Sequence, residues 1–186
     1  MADSGLELLQ LRDKTASAAR LLAASRELLQ ALAPYNVRFI LNDRPDIAAI
    51  AGTAGVHVGQ TDLPVEDARK ICSPPRWVGV STHNLTQFHE AAATSADYIA
   101  VGPIFPTATK ENPDPVVGIN FLRSVRPLTR KPLVAIGGIT LDSAAEVFRA
   151  GADSLAVIRD LLSAENPGLR VKGYLKIAAG KLANNH

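Results

Sequence analysis

The sequence has little cysteine, few aromatic residues and no long apolar run. Cys72 is the only cysteine among 186 residues, which excludes an internal disulfide and argues against a thiolate metal cluster, so we expect it to be buried and structural. No apolar run reaches the roughly 18 residues of a membrane span, and Met1–Ser4 show no signal peptide. These absences predict a cytoplasmic protein that does not insert into a membrane.

Charge of one sign is not concentrated anywhere along the chain. The formal net charge is +2, from 20 Lys and Arg against 18 Asp and Glu, and the two signs are interspersed. Such a balance argues against a nucleic-acid surface, whereas a small phosphorylated ligand needs only local positive charge. We therefore expect small phosphorylated molecules as partners, and no nucleic acid.

Short runs of mostly apolar residues recur along the chain and predict β-strands. The runs are continuous rather than alternating, which is typical of strands covered on both faces. The predicted strands are Leu6–Leu11, Val37–Leu41, Gly55–Val58, Trp77–Val80, Tyr98–Gly102, Leu133–Ile136 and Ser154–Ile158.

Segments rich in Ala, Leu, Glu and Arg separate these runs and predict helices. Asp62, Asn84 and Thr140 stand where N-terminal caps belong. The predicted helices are Ala16–Leu32, Pro64–Ile71, Leu85–Thr94 and Leu141–Arg149. No linker divides the chain, so we predict one domain over residues 1–186, in which residues 165–186 form a basic helical tail.

Strand–helix alternation repeated seven times predicts a parallel sheet with crossover helices, either doubly wound or closed into a (β/α)8 barrel. The barrel is favoured because no Gly-x-Gly-x-x-Gly follows the first strand, the strands are short and similar, and polar or glycine residues follow almost every strand. Only seven strands are visible, however, and 186 residues lies below the roughly 200 residues of small barrels. We therefore predict a TIM-type barrel that lacks its first strand and helix.

The ends of the first three predicted strands carry charged and amide side chains. Gln10, Arg12 and Lys14 would lie on one side of the first strand by its two-residue period, where they could bind a diphosphate; a solvated charged turn is the alternative. Asp43 and Asp62 follow neighbouring strands, and two such carboxylates suit Mg²⁺ shared with substrate phosphates. Helix capping is the alternative for both aspartates.

The later strand ends continue this pattern. Ser81 could hydrogen-bond a ligand, and Thr107–Lys110 could hold an anion or form an ordinary solvated turn. Gly137 and Gly138 precede a helix and would let backbone N–H groups approach a phosphate, and Ile158–Arg159 ends the last strand. Anion-binding residues thus follow strand after strand, which predicts a site for phosphorylated ligands.

Two histidines lie near these positions. His57 stands inside a predicted strand, where a hydrogen-bonded structural histidine is the favoured interpretation. His83 could act as a general base or could organise the next helix cap.

The order and spacing of these segments resemble those of the thiamine-phosphate synthase family. The resemblance runs from about Leu8 to Leu161 and is carried by "LQLRDK", "FILNDRPDIA", "GVHVGQTDLP", "VGVSTHN", "DYIAVGPIFPTATK", "VAIGGIT" and "GADSLAVI". It implies a (β/α)8 barrel and a transferase that joins an aminopyrimidine methyl diphosphate to a thiazole phosphate, with Mg²⁺ as cofactor. It also implies a dissociative displacement, in which the diphosphate leaves before the thiazole nitrogen attacks.

The resemblance further implies a role for each residue of the set. The pyrimidine diphosphate would be bound by Gln10, Arg12, Lys14, Asn42, Ser81 and Lys110. The Mg²⁺ ion would be held by Asp43 and Asp62. The thiazole phosphate would be received by Thr107, Thr109, Gly138, Ile158 and Arg159. The catalytic task, stabilisation of the departing diphosphate, would fall to Arg12, Lys14, Ser81 and Lys110.

Two departures from the family pattern are visible. Family members usually have a further strand and helix before "QLRDK", and a small residue, often serine, where this chain has Arg159. The short N-terminus would leave unpaired strand edges, through a misassigned start, a truncation, or a seven-stranded variant closed by a partner chain in a homo-oligomer. The alternatives to a synthase are a related thiazole tautomerase with a histidine acid/base, and a non-catalytic phosphate-binding remnant.

Overall fold

Parallel strands in one sheet form the centre of the computed structural model, which describes residues 1–107 and 114–183. Within these residues the sheet has seven strands, and each strand pairs with the next one in the chain. The strands are β1 (Leu8–Leu11), β2 (Arg38–Asn42), β3 (Gly55–Val58), β4 (Trp77–Thr82), β5 (Tyr98–Val101), β6 (Leu133–Ile136) and β7 (Ser154–Ala156). The predicted strands and their parallel arrangement are confirmed.

A helix follows each strand, and one more completes the described chain. The helices are α1 (Ala18–Leu32), α2 (Pro45–Ala51), α3 (Val65–Ile71), α4 (Leu85–Ala93), α5 (Gly118–Val125), α6 (Leu141–Arg149), α7 (Arg159–Leu162) and α8 (Pro167–Ala183). The helices α1, α3, α4 and α6 agree with the prediction to within two residues at each end. The short helices α2, α5 and α7 are not predicted, because four to eight residues give little apolar periodicity. Helix α3 is as short, but Asp62 and Pro64 before it give the start signal from which it is predicted.

The predicted helix caps have different outcomes. The Asn84 side chain accepts a hydrogen bond from the Gln87 N–H at 2.9 Å and caps α4 as expected. Asp62 does not cap α3, so that prediction is wrong: its carboxylate accepts a 2.7 Å hydrogen bond from the Gly59 N–H, and Pro64 occupies the cap position. A tight turn over residues 59–62 therefore holds this carboxylate at the end of β3.

The two faces of the sheet differ in polarity because side chains alternate along each strand. The strands follow one another across the sheet in chain order. Because crossovers between parallel strands are right-handed, this order places all the connecting helices on one face of the sheet. Apolar side chains such as Phe39, Val56 and Val80 point to that face and are buried. The opposite face, called the polar face below, carries polar side chains within or at the ends of strands: Gln10, Asn42, His57, Ser81 and Tyr98.

The edge strands leave part of the polar face uncovered. Leu8 of β1 is 42% exposed and Ile158, two residues after β7, is 50% exposed, whereas Ile40 of the interior strand β2 is fully buried. Within the described residues, β1 and β7 are the two edges of the sheet.

Two arginine–aspartate pairs fix the amino end of the sheet. Asp97 accepts a 2.6 Å hydrogen bond from a backbone N–H of β4 and also binds the guanidinium of Arg69 from α3. Asp153 accepts a 2.9 Å hydrogen bond from a backbone N–H of β6 and pairs with Arg126 at 2.6 Å. Both pairs lie at the amino ends of the strands, whereas the predicted site residues lie at the carboxyl ends. One end of the sheet therefore stabilises the fold, and the other carries the candidate site.

The last helix packs against α6 and the 3₁₀ helix Ala2–Ser4. Asp160 links α7 to α8, because it accepts hydrogen bonds from the Tyr174 hydroxyl at 2.7 Å and from the Arg170 guanidinium at 3.1 Å. None of the helices in the described ranges is long and apolar enough to cross a membrane.

Candidate active site

Four predicted site residues meet at the carboxyl ends of β1 and β2. The Gln10 amide donates to the Asn42 side-chain oxygen at 3.2 Å, and the Asn42 amide donates to one Asp43 oxygen at 2.5 Å. The Lys14 ammonium lies 3.2 Å from the other Asp43 oxygen. Two amides, a carboxylate and an ammonium are thus joined in one network.

The loop after β1 brings Lys14 to Asp43 by a turn. β1 ends at Leu11, so the prediction of strand alternation through residue 14 is wrong. One Asp13 oxygen instead accepts hydrogen bonds of 2.8–3.0 Å from the next residues of the loop, and these bonds, chiefly one from a backbone N–H, lower the pKa of Asp13. Arg12 is exposed and makes no hydrogen bond or ion pair to any other residue that the structure describes.

Asp43 has a backbone conformation that residues other than glycine rarely adopt. Its φ is +66°, and the Arg44 N–H donates to the Asn42 carbonyl at 2.9 Å, so Asp43 is the central residue of a γ-turn. The Asp43 N–H donates to the His57 carbonyl of β3 at 2.8 Å. Strained positions of this kind concentrate at functional sites. Here the turn holds the carboxylate between the ends of β1 and β3.

A second carboxylate, that of Asp62, faces Asp43 from the loop after β3. Burial raises the pKa of Asp43, and the neighbouring Asp62 carboxyl raises it further, while the Lys14 ammonium acts in the opposite direction. The structure therefore brings the two predicted metal ligands together. Their like charges are only partly balanced by Lys14.

The chemistry of this carboxylate pair fits a hard divalent cation. Mg²⁺ is usually bound by one or two carboxylates together with waters and substrate phosphates. No group of three His, Cys, Asp or Glu side chains suited to a metal forms within the described residues, so Asp43 and Asp62 leave positions for those other ligands. A cation would also relieve the repulsion between the two carboxylates, which adds to the effect of burial in raising the pKa of Asp43.

Ser81 lies near the end of β4, in a network that the sequence does not predict. Its hydroxyl is 2.8 Å from Nε2 of His57, whose Nδ1 is 3.0 Å from the Tyr98 hydroxyl. The Gln60 side chain donates to the Ser81 carbonyl at 2.6 Å. The interpretation of His57 as a hydrogen-bonded histidine is confirmed. Gly79 is the sequence signal that could have revealed the position of Tyr98. Glycine within a strand often marks a place where another group approaches closely, and a Cβ at position 79 would meet the Tyr98 ring.

The end of β6 packs against the first part of the loop after β5. Gly138 has a φ of +67°, and a Cβ at this position would lie 2.5–2.8 Å from atoms of Phe105 and Pro106. The Phe105 N–H donates to the Gly137 carbonyl at 3.1 Å. Glycine is therefore required at position 138 both by its backbone conformation and by the close approach of the loop.

The remaining predicted residues lie along the rest of this edge or outside the described chain. Thr107 is the last residue described before the gap at residues 108–113, and Thr109 and Lys110 lie outside the described residues. Ile158 and Arg159 stand at the start of α7, and both are exposed. Because β7 pairs with β6, this corner is next to the strand end that carries the paired glycines.

His83 contacts both sides of the same loop. Its Nδ1 is 2.5 Å from the Gly102 carbonyl, and its Nε2 is 3.3 Å from the Asp114 carboxylate. Since both ring nitrogens face acceptors, the structure favours a role in holding the loop over a role as a general base.

Comparison with known proteins places the chain in a family. The family model for thiamine monophosphate synthase matches residues 1–161. A thiamine-phosphate synthase of Koribacter versatilis is 53% identical over 173 residues, which cover 93% of this chain and 81% of that protein. The chain belongs to the thiamine monophosphate synthase family. A second relative, a thiamine-phosphate synthase of Shouchella clausii, is 43% identical over 162 residues, which cover 87% of this chain and 78% of that protein.

A solved structure extends this similarity to the fold. Thiamine phosphate pyrophosphorylase from Pyrococcus furiosus is 32% identical in sequence, with a TM-score of 0.89 over 97% of this chain and 87% of that one. The predicted membership in the thiamine monophosphate synthase family is therefore confirmed, and with it the assignment to a family of transferases. In this family member, the clustered polar side chains lie at the carboxyl ends of parallel strands, where α/β enzymes bind their ligands.

Proposed function

We propose that this protein is a thiamine-phosphate synthase, which joins 4-amino-2-methyl-5-hydroxymethylpyrimidine diphosphate to 4-methyl-5-hydroxyethylthiazole phosphate. The bond between the pyrimidine methylene carbon and the diphosphate oxygen breaks, the thiazole nitrogen bonds to that carbon, and pyrophosphate leaves. Family membership supports the reaction. The observation that carries it is the pair of carboxylates, Asp43 and Asp62, beside the Lys14 ammonium.

The cations after β1 are suited to the diphosphate. Lys14 is anchored near Asp43 but remains 47% exposed, and Arg12 offers an unpaired guanidinium within the described structure for bidentate contact. Charge that develops on the leaving group is what the site must stabilise. We assign this task to Arg12, Lys14, Ser81 and Lys110, the last of which lies outside the described residues.

The hydrogen-bonded amides of Gln10 and Asn42 are assigned to the pyrimidine end of the same substrate. They lie on the polar face beside Asp43, and their remaining donors and acceptors can hydrogen-bond a polar ring or its diphosphate. Their mutual bond fixes both side chains before a ligand binds, which favours an oriented substrate.

A Mg²⁺ ion would be held by Asp43 and Asp62. When bound, this ion would neutralise charge on the departing diphosphate. The contribution of the chain is to hold both carboxylates at the strand ends, through the γ-turn at Asp43 and the hydrogen bond from the Gly59 N–H to Asp62.

The second substrate is assigned to the ends of β6 and β7. Barrels often bind phosphate through the loops after their last two strands. Here the backbone at Gly138 and the nearby Thr107 would receive the phosphate, together with Thr109 outside the described residues and the corner formed by Ile158 and Arg159. The guanidinium of Arg159 adds a cation where the family resemblance leads us to expect a small residue.

No general base is assigned, because a neutral thiazole nitrogen attacks without losing a proton. The two histidines of this region, His57 and His83, have both ring nitrogens within hydrogen-bond or ion-pair distance of other groups. This arrangement favours the synthase over a tautomerase that moves protons through a histidine.

A (β/α)8 barrel is the finer fold that we propose for this arrangement. The chain-order sheet, the helices on one face and the exposed inner side chains Leu8 and Ile158 at its edges support it. An eighth strand would then lie between β1 and β7, supplied by the same polypeptide or by a second copy in a homo-oligomer. Light scattering after size-exclusion chromatography distinguishes these sources, since only the second requires an oligomer.

Incubation of the purified protein with both substrates and Mg²⁺ tests the proposed function. We expect thiamine phosphate and pyrophosphate in equal amounts, and no product from either substrate alone. Isomerisation of the thiazole without the pyrimidine diphosphate would support a tautomerase instead. Absence of thiamine phosphate from a protein that melts cooperatively would overturn the proposal.

A further inference from the structure

Three polar side chains are linked across the polar face of β3, β4 and β5. The Tyr98 hydroxyl is 3.0 Å from Nδ1 of His57, and Nε2 of the same ring is 2.8 Å from the Ser81 hydroxyl. The rings of Tyr98 and His57 are stacked, with centroids 5.5 Å apart. His57 and Ser81 are only 7% and 8% exposed, so water competes little for these hydrogen bonds.

The direction of the hydrogen bonds follows from the protonation of the Tyr98 hydroxyl. Burial raises the pKa of Tyr98, so its hydroxyl stays protonated. Within the described residues this hydroxyl has no second partner, and donation to His57 leaves no O–H unsatisfied. Nδ1 then accepts, which requires the neutral tautomer with its proton on Nε2. This Nε2–H donates to the Ser81 oxygen and leaves the serine proton for a further acceptor.

We propose that His57 and Tyr98 are positioning residues that set the Ser81 hydroxyl as a hydrogen-bond donor toward the substrate diphosphate. The inference rests on the proposed function, in which Ser81 binds the pyrimidine diphosphate. Diphosphate oxygens only accept hydrogen bonds, so a serine that donated its proton to His57 would present lone pairs to them. The tautomer of His57 thus decides whether Ser81 attracts or repels the departing group.

A purely structural role does not require such a network. When both partners of a buried hydrogen bond are replaced by apolar groups of the same shape, the loss of stability is often small. The neighbouring Thr82 is an example of a side chain with a purely structural role. It is fully buried, and its hydroxyl donates to the Ala100 carbonyl at 3.0 Å within the sheet. Ser81 is instead aligned twice, by His57 at its hydroxyl and by Gln60 at its carbonyl.

Two amide variants of different length test the role of His57. In His57→Gln the amide nitrogen reaches the place of Nε2 and can still donate to Ser81, whereas in His57→Asn it ends near Nδ1. We expect His57→Gln to keep kcat within about threefold, and His57→Asn to lower kcat about tenfold with an unchanged KM for the thiazole phosphate, because a hydrogen bond to a charged group is worth roughly that factor. The control Thr82→Val should leave kcat unchanged. Equal losses in the Gln and Asn variants would overturn the inference.

A double-mutant cycle tests whether His57 acts through Ser81. Ser81→Ala should lower kcat, and adding His57→Asn should then cause no further loss, because the group that His57 orients is already gone. Losses that multiply would overturn the inference. If His57→Asn fails to fold, Tyr98→Phe takes its place in the cycle, since it removes only the donor to Nδ1.

Nitrogen-15 NMR of the histidine rings in the free protein reports the tautomer without any assay of activity. We expect His57 to be neutral with its proton on Nε2, and we expect Tyr98→Phe to increase the population of the other tautomer. A proton on Nδ1 in the wild-type protein would overturn this inference even in a fully active enzyme. The proposed function fails on a different measurement, the absence of thiamine phosphate.

Discussion

The Lys14 ammonium lies 3.2 Å from the Asp43 carboxylate, although neither residue belongs to a strand. The ion pair does not dominate the site, since burial and the adjacent Asp62 carboxyl outweigh it and raise the pKa of Asp43. Without a divalent cation this end of the sheet therefore carries an electrostatic cost. The site is expected to gain stability when a cation binds between the two aspartates.

Asp43→Asn should stabilise the metal-free protein and abolish its Mg²⁺-dependent activity. Asparagine tolerates positive φ, keeps a polar side chain and carries no charge toward Asp62. We expect a higher melting temperature in EDTA, no rise on adding Mg²⁺, and a kcat lower by about 100-fold or more, because losing a metal ligand removes several kcal/mol of charge stabilisation.

Asp46→Asn is the matched control for that variant. Asp46 pairs with the Arg44 guanidinium at 2.5 and 2.8 Å, and this bond lowers the pKa of Asp46. Its neutralisation should lower the melting temperature slightly and leave the response to Mg²⁺ intact. A Mg²⁺ response that survives in Asp43→Asn would refute the assignment of the metal site.

The raised pKa of Asp43 also gives the metal-free protein a specific pH dependence. Between the ordinary pKa of 3.8 and the raised value in the folded state, the folded protein holds more protons at this group than the unfolded chain. The stability that Asp43 contributes is thus fully present below the ordinary pKa and is lost as pH rises through the folded pKa. Urea unfolding in EDTA should show the free energy of unfolding of the wild type falling relative to Asp43→Asn from about pH 4 upward. A constant difference would contradict this sign.

Gly138→Ala should cost more stability than the same change at Gly52. Both glycines have positive φ, +67° and +83°, but a Cβ at Gly52 meets no atom within 4 Å, whereas one at Gly138 meets Phe105 and Pro106. We expect a loss of about 1 kcal/mol for Gly52→Ala and at least about 2 kcal/mol for Gly138→Ala in urea unfolding. The KM for the thiazole phosphate should rise only in Gly138→Ala. Equal losses would show that the loop yields to the added methyl group.

Arg69→Met should destabilise the amino end of the sheet by about 2–4 kcal/mol. The Arg69 side chain is 16% exposed, binds Asp97 and donates to three backbone carbonyls at 2.6–3.3 Å, so its loss leaves these carbonyls without this donor and Asp97 without its cation. The adjacent Lys70→Met is the control, because the 2.8 Å pair between Lys70 and Asp67 is exposed. Differential scanning calorimetry should detect a lower melting temperature only for Arg69→Met, and similar melting of both variants would contradict this role.

The strands are predictable from the sequence because burial against the helices sets their apolar runs. Gly55–Val58 and Leu133–Ile136 agree with the structure residue for residue. Helix α2 escapes prediction because it spans seven residues and begins at Pro45, one residue after the Asp43–Arg44 turn. The local amino-acid composition there does not distinguish a short helix from a loop.

The candidate site is predictable in position but not in geometry. Lys14, Asp43 and Asp62 could be expected near one another, because parallel strands present their carboxyl ends at one edge of the sheet. The γ-turn at Asp43 and the network from Tyr98 to His57 depend on contacts between segments far apart in the sequence. Apolar periodicity carries no information about such contacts.

The agreement between strand order and chain order has a consequence for synthesis on the ribosome. Each new strand pairs with the one made just before it, so no strand waits for a distant partner and each pairing step closes only a short loop. The sheet can therefore grow at one edge while the chain is still being translated. Because Lys14, Asp43 and Asp62 lie within the first 62 of 186 residues, the carboxylate pair and its ammonium would be in place before any residue assigned to the thiazole phosphate emerges.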